Sequence, residues 1–163
     1  MQIPIGAQRT IRTVTRTVLL ATLVFVPFGY SRAFHAQEDV TPPVLRGFQF
    51  TPKSFDVGKE SKTMDVTFQA TDDLSGVGHL QAVFVSPSRQ QSVVADVGTS
   101  PDAPVPPHDA YQTKVTIPRY AEFGTWSIQY VLLSDRVGNQ KRYEPEELKK
   151  VVFETEFTID KSK

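Results

Sequence analysis

Short segments in which apolar and polar residues alternate are the feature that most constrains how this chain folds. In residues 63–70 an apolar side chain occupies every second position, beginning at Met64. A side-chain period of two is that of a β-strand with one buried face. A second segment of this kind is 125–133, in which the residues expected on the buried face are Trp126, Ile128, Tyr130 and Leu132. The chain is therefore predicted to fold mainly as β-sheet.

About seven short strands are predicted, separated by turn residues and accompanied by almost no helix. They lie at 44–50, 63–70, 80–85, 91–97, 111–117, 125–133 and 151–159. Gly47 predicts a bulge in the first strand. Segment 144–150 has a proline in its first turn and predicts one short helical turn before the last strand. The pattern is typical of an all-β fold, an antiparallel immunoglobulin-like β-sandwich.

Residues 1–36 have the composition of a secretory signal peptide. Arginines without any acidic residue precede an apolar run at 18–26, and Ala33 or Ala36 suits the cleavage site. An uncleaved membrane anchor is the less favoured alternative, because the run is shorter than the ~20 residues of a spanning helix. We expect a tether at 37–43 and one β-sandwich domain at 44–160, secreted to the periplasm, the medium or the cell surface.

Charge and cysteine content restrict the partners of the exported chain. Residues 1–36 carry four arginines and no acidic residue, so the remainder has 14 basic and 18 acidic side chains. A mildly acidic protein is a poor partner for nucleic acid or an anionic membrane. The chain has no cysteine, so an apolar core must stabilise it without disulfides. The expected partner is a protein or a cell-envelope component, with membrane contact only during export.

Two acidic, glycine-containing turns each follow a predicted strand. In an immunoglobulin-like topology these turns and the start of the first strand share one end of the sandwich. The oxygen-bearing residues brought together there would be Asp39, Asp72, Asp73, Asp135 and Asn139. Calcium prefers six to eight such oxygens, so the sequence predicts a calcium site. Ordinary turn chemistry is the alternative, because Asp, Asn, Ser and Gly favour tight turns without any ion.

The motifs of common catalytic sites are missing from the sequence. Outside the leader only His79 and His108 remain, and neither forms a zinc-binding pair. There is no nucleophile-elbow motif, no glycine-rich phosphate loop and no cysteine nucleophile. A carboxylate pair for glycoside hydrolysis is recognised only by its separation across a cleft, which leaves a weak hydrolase as a remote alternative. We expect a protein that is not an enzyme.

Residues 98–109 contain four prolines and predict a surface loop, because proline cannot occupy an interior ladder position. Its Pro-Val-Pro-Pro run can present a polyproline II segment to a partner. An alternative function follows from this loop, that of an accessory or inhibitor protein that docks on an exported enzyme. The simpler interpretation of this segment is a surface loop that has no binding role.

The segments DVTPPVLRGFQFTP, FQATDDLSGV, FVSPS, TIPRYAEFGTWSIQYVLLSDRVGN and FTID together resemble a bacterial immunoglobulin-like domain of secreted and surface proteins. The similarity covers residues 39–160. It implies a non-catalytic β-sandwich used for adhesion, spacing or ligand presentation. The long proline-rich loop departs from that pattern.

Overall fold

The computed structural model describes residues 38–100, 106, 109–151 and 153–160. The predicted signal peptide at 1–36 and most of loop 98–109 lie outside the described residues. Within them the chain forms nine strands and one helix: β1 (Val44–Thr51), β2 (Ser54–Asp56), β3 (Lys62–Thr71), β4 (Val77–Val85), β5 (Ser92–Gly98), β6 (Ala110–Ile117), β7 (Gly124–Asp135), β8 (Gln140–Tyr143), α1 (Pro145–Lys150) and β9 (Glu156–Asp160).

The strands form two sheets. One has the order β1-β3-β6, and the other has the order β2-β9-β7-β4-β5 with β8 paired to β7. All pairings are antiparallel except one, since β2 runs parallel to β9. The expectation of a purely antiparallel fold was wrong at this point. The chain crosses to the second sheet after β1, where Thr158 N donates to Lys53 O at 2.9 Å.

The predicted strand positions are confirmed in outline, with two additions. Strands β2 and β8 were not expected, because three or four residues are too few to show a clear alternation. The last strand was predicted to begin at Val151 but begins at Glu156. The predicted bulge at Gly47 is present, as the pairing of β1 with β3 shifts register between Leu45 and Gly47.

The predicted helical turn is confirmed as α1. Pro145 occupies its first turn, where a missing N–H is tolerated. Glu144 N donates to Glu147 Oε2 at 3.2 Å, and Leu148 is fully buried against the core. In the part of the chain that the structure describes, no helix is long and apolar enough to cross a membrane.

The core lies between the two sheets and is largely aromatic. Phe50 of β1 contacts Phe84 of β4 and Phe157 of β9, with ring centroids 5.1 and 6.3 Å apart. Trp126 is fully buried, as its alternation predicted, and stacks on Phe157 at 5.7 Å. Aromatic pairs contribute about 0.5–1.5 kcal/mol each beyond the area they bury. These contacts join the two sheets into one packed unit.

The buried face of β7 differs from the sequence prediction. Val83 pairs with Tyr130 and Phe84 pairs with Ile128, so Gln129 is an extra residue in the ladder. This bulge reverses the alternation of the strand. Val131 is fully buried as a result, whereas Tyr130 is only half-buried and donates to Gln81 Oε1 at 3.1 Å. The prediction that Tyr130 and Leu132 face the core was wrong.

Candidate functional site

The two acidic turns lie at the same end of the sheets, as the strand directions predicted. Strand β3 ends at Thr71, and β7 ends at Asp135, which pairs with Val77 at the start of β4. Arg136 N donates to Gly76 O at 3.1 Å and joins the turns directly. We call this region, formed by residues 38–43, 72–76 and 136–139, the acidic end.

The first acidic turn is closed by Asp72. Its Oδ1 accepts hydrogen bonds from Gly76 N at 2.6 Å and from Leu74 N at 3.3 Å. Gly76 has a φ of 82°, which suits glycine. The other carboxylate oxygen, Asp72 Oδ2, is buried without a hydrogen-bond partner. A buried carboxylate oxygen in that state is unfavourable unless a proton donor or a cation reaches it.

Asp39 brings the segment before β1 onto this turn. Its Oδ2 accepts a hydrogen bond from Ser75 N at 2.8 Å, and its Oδ1 accepts one from Thr41 N at 3.1 Å. Hydrogen bonds donated by Ser75 and Thr41 lower the pKa of Asp39 below its ordinary value. The Thr41 hydroxyl also donates to Asp73 Oδ1. The segment before β1 is therefore attached to the turn after β3.

These contacts gather three carboxylates into one cluster. One oxygen each from Asp39, Asp72 and Asp73 lies within 4.8 Å of the others. Two like charges about 4 Å apart repel by about 1 kcal/mol in water, and by about 4 kcal/mol at an effective dielectric constant of 20. A divalent cation would remove this repulsion, because carboxylate oxygens are the ligands that calcium prefers. We call these three residues the aspartate cluster.

Asp135 has a different environment, although the sequence predicts it as a ligand. It is 4 % exposed, and its Oδ1 accepts hydrogen bonds from the backbone N–H groups of Val137, Gly138 and Asn139 at 2.6–3.0 Å. Its Oδ2 accepts one from Asn139 Nδ2 at 2.6 Å. Successive N–H groups of this kind form an anion-binding concavity. Asp135 thus stabilises its own turn and does not lie in the aspartate cluster.

Asn139 connects the two turns. Its Nδ2 donates both to Asp135 Oδ2 and to the backbone oxygen of Asp39, the latter at 3.0 Å. The predicted ligand set therefore divides into two parts. Asp39, Asp72 and Asp73 converge, whereas Asp135 and Asn139 hold the adjacent turn and position the segment that carries Asp39. Their role in binding an ion stays a prediction.

Sequence analysis did not single out Thr41 and Ser75, the residues that hold the cluster together. Thr41 stands two residues after Asp39, a spacing at which an Asp side chain often accepts a hydrogen bond from the following backbone. That signal was available in the sequence. Ser75 lies in the first acidic turn, but nothing local indicates that its N–H reaches a carboxylate 36 residues earlier.

Loop 98–109 is described only at residues 98–100, 106 and 109. Thr99 N donates to Gly78 O at 2.9 Å, and Asp109 N donates to Pro106 O at 3.0 Å. Residues 101–105 and 107–108 lie outside the described residues. Docking through this proline-rich loop therefore stays a prediction.

A surface depression of about 510 Å³ lies away from the acidic end, beside β9. Glu154 and Glu156 both line it, and Glu154 forms an ion pair with Lys53. His79 Nε2 lies 2.9 Å from Asp96 Oδ2, in an exposed pair between β4 and β5. The first contact is an ordinary surface ion pair, and the second is an exposed contact between side chains of neighbouring strands.

A comparison with curated proteins finds none that matches this chain. A family model does match, over residues 43–163, and this range includes every strand and the helix described above. That range also covers most of the chain, so the protein belongs to the family described as a domain of unknown function, DUF7034.

Proposed function

We propose that this protein is an exported, non-catalytic module with an immunoglobulin-like β-sandwich fold. It acts through its surface, in binding, adhesion or assembly of the cell envelope, and calcium stabilises its acidic end. Two sheets that share one aromatic core support the sandwich. The composition of residues 1–36 supports export. The aspartate cluster supports the role of calcium and gives the proposal its most specific test.

The buried, unpartnered Asp72 Oδ2 is the observation that carries the calcium proposal. Turn chemistry accounts for Asp72 Oδ1, which closes the turn through Gly76 N, but it leaves Oδ2 without a partner. Asp39 and Asp73 place further carboxylate oxygens near it. A cation at this point would satisfy the buried oxygen and offset the charge repulsion together. Backbone oxygens and water would complete its shell of six to eight ligands.

Calcium bound there would stiffen the junction where the tether meets the domain. Asp39 belongs to the segment before β1, whereas Asp72 and Asp73 belong to the turn after β3. An ion shared between them would add to the hydrogen bonds from Ser75 and Thr41 that hold this segment. The tether would then leave the domain in a fixed direction. That property suits a module that is attached through its N-terminal segment and presents its surface to a partner.

Two groups of side chains outside the acidic end bear on the question of catalysis. Ser134 pairs with His79 in the ladder of β4 and β7, but among the described residues no hydrogen bond joins its hydroxyl to the imidazole, which contacts Asp96. In the depression beside β9, Glu154 forms an ion pair with Lys53. A weak hydrolase at this depression stays the remote alternative that the sequence left open.

Thermal unfolding with and without calcium tests the proposal. Calcium at 100 times its dissociation constant would stabilise the fold by about 2.7 kcal/mol, which raises the melting temperature by several degrees. Asp72→Asn keeps an oxygen to accept from Gly76 N but weakens the ligand, so we expect it to abolish this increment. Asp65→Asn is the matched control, because Asp65 lies on β3, outside the cluster, and pairs with Lys114. Equal melting temperatures in calcium and in chelator would refute the calcium proposal.

Export is tested separately by determining the N-terminus of the protein made in its host. Cleavage after Ala33 or Ala36 would leave Phe34 or Gln37 as the first residue. Fractionation of the same cells should place the chain outside the cytoplasm. An N-terminus that retains the arginines at 9–16, in a protein confined to the cytoplasm, would contradict the proposed localisation.

A further inference from the structure

The loop between β6 and β7 exposes two aromatic side chains at the end of the sheets opposite the acidic end. Tyr120 is 79 % exposed and Phe123 is 47 % exposed. Strand β7 runs from this loop to the acidic end over 12 residues, or about 40 Å. We call the region formed by residues 86–91 and 118–123 the aromatic end. Large apolar side chains exposed in a group mark interaction surfaces more often than single ones do.

Hydrogen bonds hold this loop in one conformation. Gln91 donates through Nε2 to Tyr120 O at 3.2 Å and accepts from Glu122 N at 2.8 Å. Ala121 is buried, and its N–H donates to Pro118 O at 3.0 Å. The Glu122 carboxylate accepts from Ser88 N at 3.2 Å. A loop that is ordered before binding loses little conformational entropy on association, so its aromatic side chains are suited to anchor a partner.

Two of the three charged residues in the aromatic end are arginines, and the third is Glu122. The Arg119 guanidinium lies 5.4 Å from the centre of the Tyr120 ring. Arg89, in the neighbouring loop, is exposed and lies in the left-handed region with a φ of 61°. The carboxylate of Glu122 is turned to Ser88. The aromatic end therefore offers two aromatic side chains next to two guanidinium groups.

The acidic end has the complementary character. Its exposed apolar side chains are Val40 at 70 %, Leu74 at 50 % and Val137 at 63 %. Val40 and Leu74 are sequence neighbours of Asp39 and of the exposed Asp73, and Val137 lies in the adjoining turn. The acidic end carries four carboxylates and one arginine, Arg136, a net charge of −3, whereas the aromatic end carries two arginines and one carboxylate, a net charge of +1. Opposite charges arranged in this way select partners and orient their encounter.

We propose that the aromatic end of one molecule binds the acidic end of a second copy of this chain. Tyr120 and Phe123 pack on Leu74 and Val137, and Arg119 lies near the exposed Asp73 of the neighbour. The contact joins two different surfaces at opposite ends of the body, so it repeats without closing and gives a linear chain of molecules. This inference rests on the proposed binding function and names a second copy as the partner.

Complementation between variants tests this arrangement. Tyr120→Ser with Phe123→Ser removes the aromatic end, and Leu74→Ser with Val137→Ser removes the apolar side chains of the acidic end. All four side chains are exposed, so both double variants should fold. We expect wild-type protein, isolated from the expressing host and kept in chelator, to show a mass that rises with concentration in sedimentation velocity. Each double variant alone should stay monomeric at concentrations where the wild type associates.

An equimolar mixture of the two double variants is the decisive sample. Each variant retains one intact end, so the mixture should form a 1:1 complex and nothing larger. Val94→Ser is the matched control, since Val94 is an exposed apolar residue on β5, away from both ends. It should associate as the wild type does.

Three outcomes would overturn the proposal. The first is a wild-type protein that stays monomeric up to about 1 mM, a concentration far above that expected for specific binding. The second is a double variant that still forms larger species, and the third is a mixture that forms no complex. A monomeric wild type that retains its calcium increment and its export would refute self-association alone. Those two results would leave the proposed function intact.

Discussion

The two acidic turns look alike in sequence but use their aspartates differently. In the turn after β7, both oxygens of Asp135 accept hydrogen bonds, four in total, from its own turn. In the turn after β3, Asp72 accepts through Oδ1 and leaves Oδ2 buried without a partner. One carboxylate is satisfied by the protein, and the other is only half satisfied.

The difference shows how a structural aspartate is distinguished from a candidate ligand. Both residues favour a tight turn, so residue type and spacing do not separate them. The number of hydrogen bonds that each oxygen accepts does separate them, because a buried oxygen without any donor is the one that gains most from an ion. By this criterion Asp135 has a structural role in its own turn, and Asp72 is the stronger candidate ligand.

Replacing Asp135 should have the largest effect on stability. Asp135→Ala removes four hydrogen bonds to a charged acceptor and leaves backbone N–H groups in the turn without partners. Hydrogen bonds to charged groups contribute about 1.5–3 kcal/mol each, and losses within one network do not add fully. We expect the free energy of unfolding in urea to fall by about 3–5 kcal/mol.

Asp135→Asn is the conservative partner of that variant and should lose less, because its amide oxygen still accepts. Calcium should still raise the melting temperature of any folded Asp135 variant. A fall of less than about 1 kcal/mol for Asp135→Ala would contradict the structural role, because it would be smaller than the loss of one such bond.

Asn139→Ala should have an intermediate effect on stability, and it tests whether the two turns are coupled. It removes the hydrogen bonds from Nδ2 to Asp135 Oδ2 and to Asp39 O, at about 1–2 kcal/mol in all. The segment that carries Asp39 then loses one of its attachments. We expect the calcium increment in melting temperature to shrink as well. An unchanged increment would show that the two turns act independently.

Acid should have the smallest effect, confined to the segment before β1. The pKa of Asp39 is lowered in the folded protein, so its charged form contributes stability above the ordinary aspartate pKa of about 4. That contribution is lost as the pH falls through the lowered pKa. Hydrogen exchange of the Ser75 amide, followed by NMR from pH 5 downward, should report the release.

Asp39→Asn is the control for the acid prediction. It cannot carry the charge, so its Ser75 amide should exchange at a rate that lacks the pH-dependent step of the wild type. Release of this amide already near pH 6 in the wild type would contradict a lowered pKa.

Much of the fold was predictable from local pattern. In β3 the residues predicted on the buried face, Met64, Val66, Phe68 and Ala70, are all buried. Gly47 marked its bulge, and the proline of α1 marked a helix start. Each of these signals depends on a residue and its immediate neighbours. The expected reversal of direction between successive strands also implied that the two acidic turns share one end of the sheets.

The sequence by itself determined the class of the fold and the end at which the aspartates meet. It did not determine that β7 has a bulge at Gln129, nor that β2 pairs in parallel with β9. Both outcomes depend on contacts with strands that are distant in sequence, and the residues next to Gln129 or β2 give no indication of them. The same holds for the aspartates: only the tertiary structure decided that Asp135 is enclosed by its own turn while Asp72 is left with a free oxygen, because hydrogen-bond donors reach a carboxylate through space and not along the chain.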